Sequence, residues 1–210
     1  SYLREYRPVR LPDLPRFVGG AVGYLTYETV ARFERLPVPE ARAYTIPEGM
    51  WQFVDTLLAF DHLKHKIKVI AHVHLDAADL DAEYARACAK IEALIQRLDG
   101  PLPPPDHHQP ASAQPPARPS SNVTQAEYEQ RVLAAKEYIA AGDIFQVVPS
   151  QRFSRPVNTD SFTIYRALRT INPSPYMFYL RTPECELVGA SPELLVRVED
   201  GLVTTHPIAG

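Results

Sequence analysis

Eight of the chain's 21 prolines fall in one stretch, GPLPPPDHHQPASAQPPARPSS, residues 100 to 121, with almost no large apolar side chain beside them. Such a stretch buries too little surface to offset the entropy of ordering it, so it reads as an extended, mobile linker that no single core can absorb. The linker predicts an N-terminal region over residues 1–99, a spacer over 100–121 and a second region over 122–210. His107 and His108 lie inside it, where a solvated pair is the expected reading rather than two metal ligands.

With 45% apolar and 22% charged residues in 210, the rest of the chain has the composition of a folded protein. A formal charge of -3 gives no electrostatic footprint for nucleic acid or an anionic membrane surface, and no apolar run reaches the ~18 to 20 residues that span a bilayer. Cys88 and Cys185 are far apart and outside any CxxC or Cys/His spacing, which argues against zinc and predicts a reducing, cytoplasmic setting. The chain opens on SYLREYRPVR without an initiator methionine and stops on HPIAG, a β-prone run into a bare glycine, so both ends are expected to be cuts.

Local patterning predicts an α+β protein, with largely antiparallel sheets and covering helices. MWQFVDTLLAF and its return IKVIAHV read as a hairpin around Asp61 to His65, with Ile67, Val69, Ala71 and Val73 on the buried face and Lys68, His72 and His74 on the other. Two histidines at i, i+2 without a third ligand read as solvent-facing. A covering helix is expected from Asp79 to Asp99, its stripe running through Leu80, Tyr84, Ala87, Ile91, Leu94 and Leu98 to a stop at Gly100. Thr124 and Glu127 form a capping box for a helix that buries Tyr128, Val132, Ala135 and Ile139 and ends at Gly142. DIFQVVPSQRF reads as a strand, with Pro149 confining it to an edge or bulge. A short helix over DSFTIYRALRTI stops at Asn172-Pro173, YMFYLR and CELVGAS read as neighbouring strands, and Asp200-Gly201 marks a hairpin turn. GGAVGYLTYE lacks the GxGxxG spacing and a basic residue to hold phosphate, so a tight turn is the expected reading. NPSPYMF presents Tyr176, Met177 and Phe178 from a bend fixed by two prolines.

Taken in order, FVGGAVGYLTYE, AGDIFQVVPSQRF, NPSPYMFYL and LVGASPELLVR…THPIAG resemble the chorismate-utilising enzymes, and most closely the anthranilate synthase component I family. The resemblance covers the chain apart from the linker and implies the N-terminal portion of a longer lyase. In that family the magnesium-binding glutamates and the catalytic histidine follow the segment matched by PIAG, so no catalytic or metal residue is expected before Gly210. The resemblance implies chorismate as substrate, Mg²⁺ as cofactor, a separate glutaminase subunit as ammonia source and hence a hetero-oligomer. Pro175, Tyr176 and Met177 match its L-tryptophan inhibitor site.

The members of this superfamily differ in ways that are physical. Aminodeoxychorismate synthases often carry a nucleophilic lysine where Ala209 stands, and a methyl group cannot attack the substrate ring, so ammonia itself must reach carbon 2. The alternative is that a small residue beside Gly210 simply admits a close backbone approach. Isochorismate and salicylate enzymes carry a lysine base where Gln146 falls, whereas an amide cannot deprotonate water near neutral pH. Gln146 is then a substrate-orienting residue or a hydrogen-bonded strand glutamine. Ala209 and Gly210 are expected to edge the chorismate pocket. The alternative readings are aminodeoxychorismate synthase component I and a non-catalytic tryptophan-binding fragment.

Overall fold

The computed structural model describes residues 6–37, 44–102 and 118–207. Residues 103–117 of the expected linker lie outside them, and with them His107 and His108, as do Ala209 and Gly210. The chain divides into two compact units, one of Ser1–Pro103 with Leu180–Cys185, the other of Pro104–Tyr179 with Glu186–Gly210. Helices and antiparallel ribbons make up both, an α+β architecture.

In the first unit, β1 (Gly20–Leu25) pairs antiparallel with β2 (Gly49–Val54), Gly23 facing Trp51 and Tyr24 facing Met50. The glycine-rich stretch is therefore a strand after a bend at Val18-Gly19, which corrects the tight-turn reading. Gly23 is there for approach: a Cβ at this position would collide with the carbonyl of Met50. The apolar run 51 to 60, read as one strand, is two. It breaks at Asp55, whose carboxylate accepts Lys90 Nζ (2.8 Å) and Thr56 Oγ1 (2.9 Å) and whose carbonyl accepts the His72 amide (2.9 Å). Beyond the break, β3 (Thr56–Asp61) forms the expected hairpin with β4 (Lys66–Ala71), and His65 takes a left-handed φ of 51° in the turn.

The buried face of β4 also departs from expectation. Val69, Ala71 and Val73 of the expected face are half-buried, with Ile67 exposed, but the opposite face is covered too: Ile70 is buried between Lys68 and His72. The loop before β1 covers it: Lys68 Nζ donates to the Asp13 carbonyl, and His72 Nε2 lies 2.6 Å from the carbonyl of Val18. Polar side chains can share a packed face when each meets a backbone acceptor, a possibility that alternation counting does not register. Helix α1 (Leu80–Asp99) packs on β4, starts at Asp79, whose carboxylate accepts the Ala82 amide (3.0 Å), and buries Ala87.

In the second unit, α2 (Gln125–Ala141) opens on the complete capping box of Thr124 and Glu127 and closes on Gly142 at φ 82°. None of its residues is buried, against the expected stripe, of which Val132 and Ile139 are exposed. A two-residue ribbon pairs β5 (Ser120–Ser121) with β6 (Phe153–Ser154). The strand expected over DIFQVVPSQRF shrinks to β6, and residues 143–152 join no ladder among the described residues. Helix α3 (Ser161–Ile171) is capped by Asp160, which accepts the Thr163 amide (2.8 Å), and ends at Asn172. It packs against β8 (Glu186–Ser191), the hairpin partner of β7 (Tyr176–Arg181). Last, β9 (Arg197–Glu199) and β10 (Leu202–Thr204) join through Asp200 and Gly201, both at positive φ, 50° and 81°, as the Asp-Gly turn predicts.

Candidate functional site

The motif that carries the strongest chemical expectation, NPSPYM, forms the corner between α3 and β7. Asn172 caps α3, its amide donating to the Leu168 carbonyl (2.8 Å), and Pro173 cannot extend the helix because it has no amide hydrogen. Ser174 and Pro175 then turn the chain into β7 at Tyr176. The Ser174 hydroxyl is buried and has no hydrogen-bond partner among the described residues.

Successive side chains of a strand point to opposite faces, so Tyr176 and Phe178 share one face and Met177 and Tyr179 the other. Tyr176 and Phe178 are exposed, 41% and 48%. Phe178 lies over Gly189 of β8, where a Cβ would strike its ring. The other face is half-buried under α3. Tyr179 meets Phe162 edge-on at 5.4 Å and Tyr165 at 6.0 Å, and its hydroxyl lies 2.9 Å from Ser161 Oγ, which also donates to Glu186. The aromatic face thus holds β7 rigid while Tyr176 stays open.

Pro175, Tyr176 and Met177 are consecutive, yet Tyr176 and Met177 project to opposite faces. One ligand can meet both only at the strand's edge, through backbone groups of one and the side chain of the other. β7 has that edge: its ladder partner among the described residues is β8 alone.

Gln146 is exposed in the unpaired segment after α2. Its neighbour Phe145 is 93% exposed and Val148 78%. In this segment the Pro149 carbonyl accepts the Tyr128 hydroxyl at 3.5 Å, and the Arg152 carbonyl accepts the Asn122 amide at 3.1 Å. Ala209 and Gly210, the other expected substrate residues, lie outside the described residues.

Sequence reading passed over three further features. Gln52 Nε2 donates to the Arg181 carbonyl (2.7 Å), and Thr182, buried, closes the tip of the β7–β8 hairpin by accepting the Cys185 amide (3.0 Å) and donating to its carbonyl (2.8 Å). Burial raises the Tyr24 phenol, with the negative forms of Cys185 and Glu184 adding to the shift. The Ser161–Glu186 contact had no signal in the sequence, whereas Gly189 inside LVGAS was legible as a point of close approach. No three His, Cys, Asp or Glu side chains are grouped to hold a metal ion among the described residues. No helix among them is long and apolar enough to cross a membrane.

The family model described as chorismate binding enzyme matches residues 2–210. Anthranilate synthase component 1 of Acetivibrio thermocellus is 41% identical over 209 residues, covering 98% of this chain and 42% of the relative. The protein of the same name from Thermus thermophilus is 42% identical over 210 residues, covering 100% of this chain and 43% of its own. The crystal structure of anthranilate synthase component I from Streptococcus pneumoniae superposes with a TM-score of 0.77 at 29% identity, over 97% of this chain and 46% of that one. The chain therefore spans less than half the length of the relatives it matches.

Proposed function

Because the chain belongs to the chorismate binding enzyme family, we propose that, at the length of its relatives, it acts as component I of anthranilate synthase. The observation that carries this reading is identity above 40% along nearly the whole chain to proteins of that name. In the proposed reaction ammonia forms a carbon–nitrogen bond at carbon 2 of chorismate and the ring hydroxyl departs as water. The enolpyruvyl ether is then eliminated as pyruvate, which leaves the aromatic amino acid. Ala209 offers no amine, so ammonia is the nucleophile; Gln146 orients rather than deprotonates; the backbone at Ala209 and Gly210 edges the pocket.

Ammonia comes from a glutaminase subunit, in a cytoplasmic hetero-oligomer. Mg²⁺ is the cofactor the resemblance implies, and the described residues do not build its site. Pro175, Tyr176 and Met177 form part of an L-tryptophan site, supported by the rigid corner, the open edge of β7 and the exposed Tyr176. An inhibitor bound there lowers activity by favouring a less active conformation, and its coupling to chorismate is reciprocal.

The test uses full-length protein with chorismate, Mg²⁺ and high ammonium. One pyruvate released per aromatic product supports the reading, and an amino product formed without pyruvate contradicts it.

A further inference from the structure

Where the loop before β1 crosses the Lys68 face of β3 and β4, it leaves an open cavity of about 320 Å³, a volume at the small end of ligand pockets. Leu14 and Pro15 of the loop and Ala59 of β3 line it, together with the charged groups of Asp13, Asp61, Lys64 and Lys68, all within the first unit. Asp13 follows Pro12 in a turn closed by the Leu14 amide on the Leu11 carbonyl (3.4 Å), and its left-handed φ of 70° is one that glycine or asparagine adopts with less strain. What aspartate gains there is contact with both lysines. Its carboxylate lies 3.2 Å from Lys64 Nζ, and its carbonyl accepts Lys68 Nζ. The carboxylate is loosely held: the Asp13 side chain is 81% exposed and Lys64 half exposed, and an ion pair so open to solvent adds little stability. Lys68 lies deeper, with the Asp61 carboxylate at 3.6 Å, and Asp61 also accepts the Lys64 amide (2.9 Å). Each lysine ammonium can donate three hydrogen bonds, so the pair carries more donors than the described residues meet. A surplus of charged donors selects an anionic acceptor.

We propose that this cavity binds a small organic carboxylate, whose oxygens bridge Lys64 and Lys68 in the place that the Asp13 carboxylate holds without ligand, and whose apolar body lies against Leu14, Pro15 and Ala59. Asp13 is then a built-in competitor. Binding swings its side chain fully into water, which costs little because the side chain is already largely solvated. The exchange conserves charge, one carboxylate for another, so neither ammonium is left uncompensated. The apolar wall adds what a bare inorganic anion cannot use.

The experiment measures by calorimetry the binding of benzoate, benzamide and inorganic phosphate to full-length wild type, Asp13→Asn and Lys64→Met, with thermal midpoints as a check on folding. Benzoate is expected to bind wild type roughly ten-fold more tightly than benzamide, which has the same ring without the charge, and more tightly than phosphate. Asp13→Asn removes the competitor and suits a left-handed φ, so it is expected to keep or raise the midpoint and to tighten benzoate roughly three-fold. Lys64→Met is expected to weaken benzoate roughly ten-fold, the loss of one charge-assisted hydrogen bond. A benzoate affinity that Lys64→Met leaves unmoved would place the ligand elsewhere and overturn the proposal. So would benzamide bound as tightly as benzoate, Asp13→Asn without tighter binding, or benzoate that binds neither wild type nor Asp13→Asn. Phosphate bound as tightly as benzoate would overturn the assignment of the apolar wall and with it the organic carboxylate.

Discussion

A Cβ at position 23 would meet the carbonyl of Met50, a backbone atom that cannot swing aside, so Gly23→Ala must separate β1 from β2. Overpacking of this kind costs roughly 1–3 kcal/mol, and the rigidity of the obstacle places this substitution near the upper end. A thermal midpoint within a degree of wild type would show that the ladder tolerates the methyl group. Asp55 makes a different prediction. The hydrogen bond from Lys90 holds its carboxyl below the ordinary range, against burial, which raises it. The folded state therefore releases that proton more readily than the unfolded chain. The resulting stability is present above the unfolded value of about 3.9 and is lost as pH falls through the lower folded one. The two side chains are 33% and 45% exposed, so solvent screening leaves roughly 0.5 kcal/mol at stake. Lys90→Met is expected to lower the midpoint slightly at pH 6, with the deficit shrinking as pH falls below the unfolded value; a deficit that does not change with pH would assign the loss to packing.

Elements whose signals are local were legible in the sequence. The Thr124–Glu127 box, the left-handed Gly142, the Asn172-Pro173 stop and the Asp200-Gly201 turn each involve neighbours in the chain and stand where expected. Glu127 is held below its ordinary pKa by the Thr124 amide and then by its hydroxyl, so the cap also weakens in acid. Thr124→Ala is expected to cost about 1 kcal/mol, read as a lower midpoint in urea, and no change would mean that the α2 terminus is held by other contacts. Pairing decided by distant residues was not legible. Nothing in MWQFVDTLLAF marks Asp55 as a break until Lys90 is beside it, and nothing in IKVIAHV shows that the 13–18 loop covers the Lys68 and His72 face. DIFQVVPSQRF has strand composition, but a strand needs a ladder partner, and among the described residues this segment has one only at β6. Of the candidate site, the rigid corner was readable from its prolines, while the orphaned Ser174 hydroxyl and the opposed faces of Tyr176 and Met177 needed the fold.

At the scale of the molecule, large apolar side chains stand open in both units: Phe33 and Ile171 are each 81% exposed. Every sheet among the described residues has two strands, a size that is marginal alone. The relatives that the chain matches are more than twice as long. The 210-residue chain by itself is accordingly expected to bind a hydrophobic dye strongly and to unfold without a sharp transition, whereas the full-length protein shows weak dye binding and a cooperative melt. A sharp melt with little dye binding for the short chain would contradict that reading. The central claim, direct amination of chorismate beside Ala209, is tested most directly with ¹⁵N-labelled ammonium, chorismate, Mg²⁺ and the full-length protein, locating the label in the product by NMR. The account predicts nitrogen on the carbon adjacent to the one bearing the carboxylate, in anthranilate; label at the para position, in aminodeoxychorismate, would contradict it.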